Sequence, residues 1–130
     1  MQDGDFMVEN RLSSGLEDYL ECIYNNIQNK GSVKAIDISR ELNVSRASVT
    51  DALKRLASKG YISYERYGKI NLLDTGIEKS QTVIEKHQIL TTFFEKILKL
   101  SKKEATENAC RIEHVITENA FTQLKRFLND

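Results

Sequence analysis

The succession of short elements between Ala35 and Leu72 most constrains the fold of this chain. Apolar residues spaced for one helical face predict a short helix over 35–42, and the tight turn 43–45 follows it. Ser45 is placed to cap a longer helix over 46–59, which Gly60 would end in a left-handed conformation. Beyond it, 61–65 and 70–72 alternate apolar and polar residues, which predicts a β-hairpin with its tip at 66–69.

Short helix, turn, longer helix and hairpin is the order of a winged helix-turn-helix, whose second helix enters the major groove of DNA. The outer face of that helix carries small, polar and basic side chains. The candidate DNA-contact residues are Lys34, Ser45, Arg46, Ala47, Ser48, Thr50, Asp51, Lys54, Arg66 and Lys69. Asp51 is the exception, because a carboxylate repels phosphate; it either accepts a hydrogen bond from a cytosine amino group or holds Arg55 or Lys54 in place. The alternative is a helix-turn-helix that contacts only protein.

The distribution of charge favours DNA. The whole chain has 19 basic and 19 acidic side chains, but residues 30–71 carry nine basic and four acidic ones, a net charge of +5. The remainder is therefore −5. A basic segment between acidic ones suits a polyanion-binding surface next to a site that attracts cations. Charge alone also fits a solvated surface, so this argument depends on the motif beside it.

Helices account for most of the remaining chain. The first is predicted to begin at Ser14, where Glu17 would complete a capping box. A long helix is predicted after Gly76 to about residue 100, followed by helices over about 102–116 and 119–128. We therefore expect a mainly α fold with a small hairpin: an N-terminal winged helix-turn-helix followed by a helical domain.

Several side chains with metal-binding chemistry lie at helical spacings. Cys110, Glu113 and His114 are at i, i+3 and i+4, so they share one helical face and offer a thiolate, a carboxylate and an imidazole. Asp18 and Glu21 add two carboxylates on the first helix, and His87 interrupts the apolar face of the long helix. Singly, each has an ordinary interpretation as a core histidine, a solvated carboxylate or a buried thiol. Together they favour a transition-metal site. Cys22 is predicted to be a core residue.

Runs at 17–24, 37–38, 44–45, 48–50, 60–65, 86–87 and 109–115 match one known family. In these runs, and over about residues 14 to 128, the chain resembles the diphtheria toxin repressor and manganese transport regulator family of metal-activated bacterial transcription factors. The resemblance implies a primary metal site with the ligands Asp18, Glu21, His87, Cys110, Glu113 and His114.

The resemblance leaves two alternatives for the identity of the metal. Asp18 and Glu21 are similar to the manganese-sensing members, which have a carboxylate where this chain has Cys110. Cys110 is similar to the iron-sensing members, which have a methionine in place of Asp18. Mn(II) is the first choice and Fe(II) the second, with one or two ions per subunit.

The expected function is a metal-dependent transcriptional regulator that represses metal-uptake genes, with the ion bound between the first helix and the fourth and fifth. Proteins of this size that insert a helix into the major groove bind palindromic double-stranded DNA as two-fold dimers. The last two helices also carry more apolar residues than one small helical pair can bury, so we expect a homodimer. We expect a flexible arm over 1–13, the DNA-binding domain over 14–74 and a metal-binding and dimerisation domain over 75–130.

Two alternatives remain open from the sequence. One is a metal-independent winged-helix regulator that senses a small molecule or the redox state of Cys110. The other is a metalloenzyme built on Glu113 and His114, although no nucleophile arrangement or glycine loop accompanies them. We expect no small organic substrate and no membrane. The N-terminus lacks signal-peptide features and the two cysteines make no disulfide framework, which favours the cytoplasm.

Overall fold

The structure is a computed structural model that describes residues 12–65 and 68–129. Within these residues it is mainly α with one two-stranded antiparallel hairpin, as predicted. The elements in chain order are α1 (Ser14–Lys30), α2 (Ala35–Leu42), α3 (Arg46–Ser58), β1 (Ile62–Tyr64), β2 (Ile70–Leu72), α4 (Asp74–Lys96), α5 (Lys102–Ile112) and α6 (Glu118–Asn129). None of the described helices is long and apolar enough to cross a membrane.

α1 begins at Ser14, as predicted, but the capping box predicted at this position does not form. Ser13, not Ser14, is the N-cap, and its Oγ accepts a hydrogen bond from the Leu16 backbone N–H at 3.2 Å. Glu17 therefore lies one position too far along the helix to close a capping box. It is buried instead, on the side of α1 that faces the second half of the chain. Most of the expected arm, residues 1–13, lies outside the described residues, but Leu12 is buried in the core.

The helix-turn-helix forms because local capping and a shared core agree. Asn43 ends α2 in the left-handed conformation (φ 53°), and the Ser45 Oγ accepts from the Ser48 N–H at 3.0 Å to start α3. The inner faces of α1, α2 and α3 meet in one apolar core. Its fully buried members include Ile23, Ile38, Val49, Leu53 and Leu56. The residues on the opposite face of α3 are thus left for solvent or a ligand.

The hairpin packs closely against the start of α4. Ile62 pairs with Leu72 and Tyr64 with Ile70, and both isoleucines are buried in the same core. At Gly76 an added Cβ would lie 2.2 Å from the Tyr61 carbonyl oxygen, so only glycine fits this approach. Gly76 lies inside α4, which begins at Asp74, earlier than predicted.

Three helices form the second half of the fold. α4 ends at Lys96, before the predicted residue 100, and packs along α1, α5 and α6. α5 ends at Ile112, before the predicted 116, because the chain turns at 113–115. Phe121 of α6 is buried between Lys86 and Lys125, whose ammonium groups lie 5.8 and 5.4 Å from its ring centre. α1 packs on α2 and α3 as well as on α4, so it contacts both halves.

Candidate metal centre and nucleic-acid interface

Three elements bring the six candidate ligands to one place. α1 supplies two carboxylates, α4 one imidazole, and the end of α5 with the turn after it a thiol, a carboxylate and an imidazole. All six line one cleft of about 750 Å³ between the two halves of the fold: Asp18, Glu21, His87, Cys110, Glu113 and His114. The structure thus unites the groups that the sequence placed on three separate segments.

The first group of donors is His87, Cys110 and Glu113. The His87 Nδ1 lies 2.7 Å from the Glu113 Oε2 and 3.9 Å from the Cys110 Sγ. One potential ligand atom from each residue lies within 4.8 Å of the other two. Two ligands bound to one ion at about 2.0–2.3 Å lie no more than about 4.6 Å apart, so small adjustments would bring all three onto one ion. The set of nitrogen, sulfur and oxygen suits a first-row transition metal.

The second group of donors surrounds His114. Its Nε2 lies 3.1 Å from the Asp18 Oδ1 and 3.4 Å from the Glu113 Oε1. Glu113 therefore contacts both histidines, His87 through one carboxylate oxygen and His114 through the other. With its side chain almost wholly buried, Glu113 joins the two groups into a single site.

The environment of the site disfavours negative charge in the absence of a cation. Burial raises the pKa of Glu113, although the hydrogen bond and the charge of His87 act in the opposite direction. Burial also raises the pKa of Glu21, and the nearby Asp18 carboxylate adds to the effect. For Cys110, burial and then the Glu113 carboxylate raise the pKa of the thiol. A divalent cation would offset this concentration of acidic groups, so the donor set fits a metal ion.

Glu17 contacts the site, but the sequence interpretation assigned it to a helix cap. It is 4% exposed, its Oε1 lies 2.7 Å from the His114 Nδ1, and its Oε2 lies 3.1 Å from the Lys79 Nζ. The sequence signal that could have revealed this contact is the spacing of four residues between Glu17 and Glu21, which places both acids on one face of α1.

Most of the candidate DNA-contact residues are exposed on the winged helix-turn-helix. Lys34, Ser45, Arg46, Ala47, Ser48, Asp51, Lys54 and Lys69 are exposed. Thr50 is half-buried and its hydroxyl donates to the Arg46 carbonyl oxygen at 3.1 Å, whereas Arg66 lies outside the described residues.

Three of these cations share one cleft. Lys34 before α2, Arg46 at the start of α3 and Lys69 in the hairpin line the same concavity. Asp51 forms an ion pair with Arg55 at 3.0 Å, which is one of the two expected arrangements. Arg55 lies in the last turn of α3, so this pair is separate from the cations at the start of the helix. The cleft lined by Lys34, Arg46 and Lys69 is suited to phosphate contacts.

Comparison with known proteins identifies both halves of the chain. Residues 11–70 match the family described as iron-dependent repressor, N-terminal DNA-binding domain, and residues 73–130 match the iron-dependent repressor metal-binding and dimerisation domain. An uncharacterized HTH-type transcriptional regulator of Methanocaldococcus jannaschii is 36% identical over 118 residues, covering 90% of this chain and 94% of the relative. The HTH-type transcriptional regulator MntR of Oceanobacillus iheyensis is 29% identical over 114 residues, with 88% and 77% coverage.

Solved structures share the fold. The crystal structure of T. acidophilum IdeR has a TM-score of 0.74 and 29% identity, covering 88% of this chain and 54% of that chain. The structure of the manganese regulator SloR has a TM-score of 0.77 and 24% identity, covering 88% and 53%. This chain thus spans about half the length of these two proteins.

The chain belongs to the iron-dependent repressor family. It is a metal-dependent transcriptional regulator with a DNA-binding domain and a dimerisation domain, and not an enzyme.

Proposed function

We propose that this member of the iron-dependent repressor family represses metal-uptake genes when Mn(II) binds between α1, α4 and the turn after α5. The proposal rests on the contacts of the Glu113 carboxylate. Its two carboxylate oxygens reach His87 and His114, and Asp18 of α1 reaches the same His114 nitrogen. Donors from distant parts of the chain therefore meet at one point, where a cation would hold three elements together.

The charges around the Glu113 carboxylate explain how a bound metal would change the affinity for DNA. In the metal-free chain, the carboxylates of α1 and Glu113 in the turn after α5 repel one another or take up protons. A bound divalent cation supplies positive charge that removes the repulsion. α1 then stays in place against α4 and α5, and because α1 also packs on α2 and α3, the position of the DNA-binding helices is determined with it. The result is a shift of population toward the DNA-binding conformation.

The metal preference follows from the balance of donors. Oxygen donors from Asp18, Glu21 and Glu113 outnumber the one thiol, and carboxylates suit Mn(II). Fe(II) is the second choice. The two donor groups share Glu113, so the cleft accommodates one or two ions per subunit.

DNA binding is assigned to the exposed side of the domain that spans residues 14–74. The start of α3 would enter the major groove, while Lys34 and Lys69 contact phosphates. The unit of residues 75–130 would form the homodimer, which matches two half-sites of a palindromic operator; exposed Val115 and Phe127 are available apolar residues. We expect the protein to act in the cytoplasm, where a bacterial or archaeal regulator meets its DNA.

The test is a fluorescence-anisotropy titration of promoter DNA under anaerobic conditions with Mn(II), Fe(II), Co(II) and Zn(II). Metal should tighten binding of the wild-type chain by about 5–150-fold, the usual range of allosteric coupling. Glu113→Gln should lose this response and keep the metal-free affinity. Glu85→Gln is the control, because it alters an exposed acid of α4 outside the site. Operator binding that is insensitive to chelators would contradict the proposal and favour a metal-independent regulator.

A further inference from the structure

Glu17 is a buried acid with both carboxylate oxygens engaged. One oxygen accepts from the His114 Nδ1 at 2.7 Å, and the other accepts from the Lys79 ammonium at 3.1 Å. The Glu17 side chain is 5% exposed and that of His114 is 8% exposed, while Lys79 reaches solvent with 26% of its side chain. A buried carboxylate requires such compensation, here an ion pair with Lys79 and a hydrogen bond from His114.

The two nitrogens of His114 consequently face different surroundings. Nδ1 points to Glu17, and Nε2 points to Asp18 and Glu113, at 3.1 and 3.4 Å. A neutral imidazole carries one proton, and the nitrogen without it is the one that binds a metal. An ionised Glu17 accepts at Nδ1 and therefore keeps the proton there.

We propose that Glu17, compensated by Lys79, is a positioning residue that holds His114 with its proton on Nδ1 and its Nε2 directed into the metal site. The inference rests on the proposed function. Carboxylates that accept from the second nitrogen of a metal-binding histidine fix the orientation of the ring and increase its basicity. Here the carboxylate comes from α1 and the cation from α4, so the orientation of His114 depends on the packing of α1 against α4.

The contacts of Glu17 also distinguish it from a ligand. To bind an ion directly, Glu17 would have to release both His114 and Lys79. That would leave the Lys79 ammonium, on a half-buried side chain, without its carboxylate partner, an unfavourable arrangement. Asp18, the next residue, has a more exposed carboxylate that already faces Nε2. The two neighbouring acids thus have separate functions, Asp18 at the ion and Glu17 behind the histidine.

The experiment measures the Mn(II) affinity of full-length variants by competition with a fluorescent chelator. Glu17→Gln keeps the size of the side chain and removes its charge, and it should lower the affinity by about 10–100-fold, the usual effect of losing such a partner. Lys79→Met removes the cation and keeps the apolar stem, and it should lower the affinity less. Glu17→Asp retains the charge and should fall between Glu17→Gln and wild type. Glu85→Gln should equal wild type.

The protonated nitrogen of His114 gives an independent readout. Nitrogen NMR of the Zn(II)-loaded wild type should show the proton on Nδ1, and the Co(II) absorption spectrum of Glu17→Gln should differ from that of wild type. A proton on Nε2 would overturn the inference even if no variant folded. A folded Glu17→Gln chain with wild-type Mn(II) affinity would also overturn it, while leaving the proposed function intact. Failure of the proposed function is distinct, because the wild type itself would then lack a metal response on DNA.

Discussion

Replacement of Gly76 with alanine tests the contact between the hairpin and the helix that carries His87. The added Cβ would lie 2.2 Å from the Tyr61 carbonyl oxygen and 3.1 Å from the Leu72 Cδ2. Real Cβ atoms essentially never approach another heavy atom within 3.0 Å, so the hairpin and α4 must separate by at least about 0.8 Å. The Leu73 N–H donates to the same Tyr61 oxygen at 3.1 Å, and the shift would weaken this hydrogen bond.

Three contributions set the size of the effect. Overpacking costs about 1–3 kcal/mol, and loss of the Leu73 hydrogen bond costs about 1 kcal/mol. Alanine favours the helix over glycine by about 1 kcal/mol. The free energy of unfolding should therefore fall by about 1–3 kcal/mol. For a chain of this length each kcal/mol corresponds to about 4 °C, so the Tm should fall by about 4–12 °C.

Thermal unfolding followed by circular dichroism measures this change, with metal-free protein at one fixed concentration. Gly15→Ala is the matched control, because no heavy atom lies within 4 Å of an added Cβ at this position in α1. The control should gain up to about 1 kcal/mol, or about 4 °C. A Tm for Gly76→Ala that rises as much as that of Gly15→Ala would refute the close approach of α4 to the hairpin.

Two further predictions concern the thiols and the DNA surface. Burial and the hydrogen bond to Glu41 raise the pKa of Cys22 to about 12, whereas Cys110 is exposed. Mass spectrometry after iodoacetamide treatment of the native chain should therefore find Cys110 modified well before Cys22, with Mn(II) protecting Cys110; equal rates would contradict the described burial. Lys69→Ala should weaken DNA binding uniformly across sequences and reduce the slope of log affinity against log salt by about one, and a loss confined to one operator would argue against a phosphate contact.

The winged helix-turn-helix was largely predictable because its signals are local. Ser45 caps α3 and Asn43 ends α2 in the left-handed conformation, and such preferences act within a few residues. The start of α4 was placed too late because glycine disfavours helices, and the close approach of Tyr61 that requires Gly76 is not visible in the sequence. The end of α5 was placed too late because apolar spacing continued through Ile116, while the chain turns at 113–115.

The metal centre shows the same difference between local signals, which the sequence carries, and contacts that depend on tertiary packing. Spacing along a helix predicted that Cys110, Glu113 and His114 share one face, because three or four residues make one helical turn. In the structure Glu113 and His114 lie in the turn after α5, but all three side chains still line one cleft. Only the tertiary structure decided that Glu17, 97 residues away from His114, contacts its Nδ1. The contact depends on how α1 packs against α4 and the end of α5, and that packing results from many apolar contacts distributed over the chain. The sequence alone thus determined the types of ligand. The tertiary structure decided that the Nδ1 of His114 faces Glu17 and its Nε2 faces Asp18.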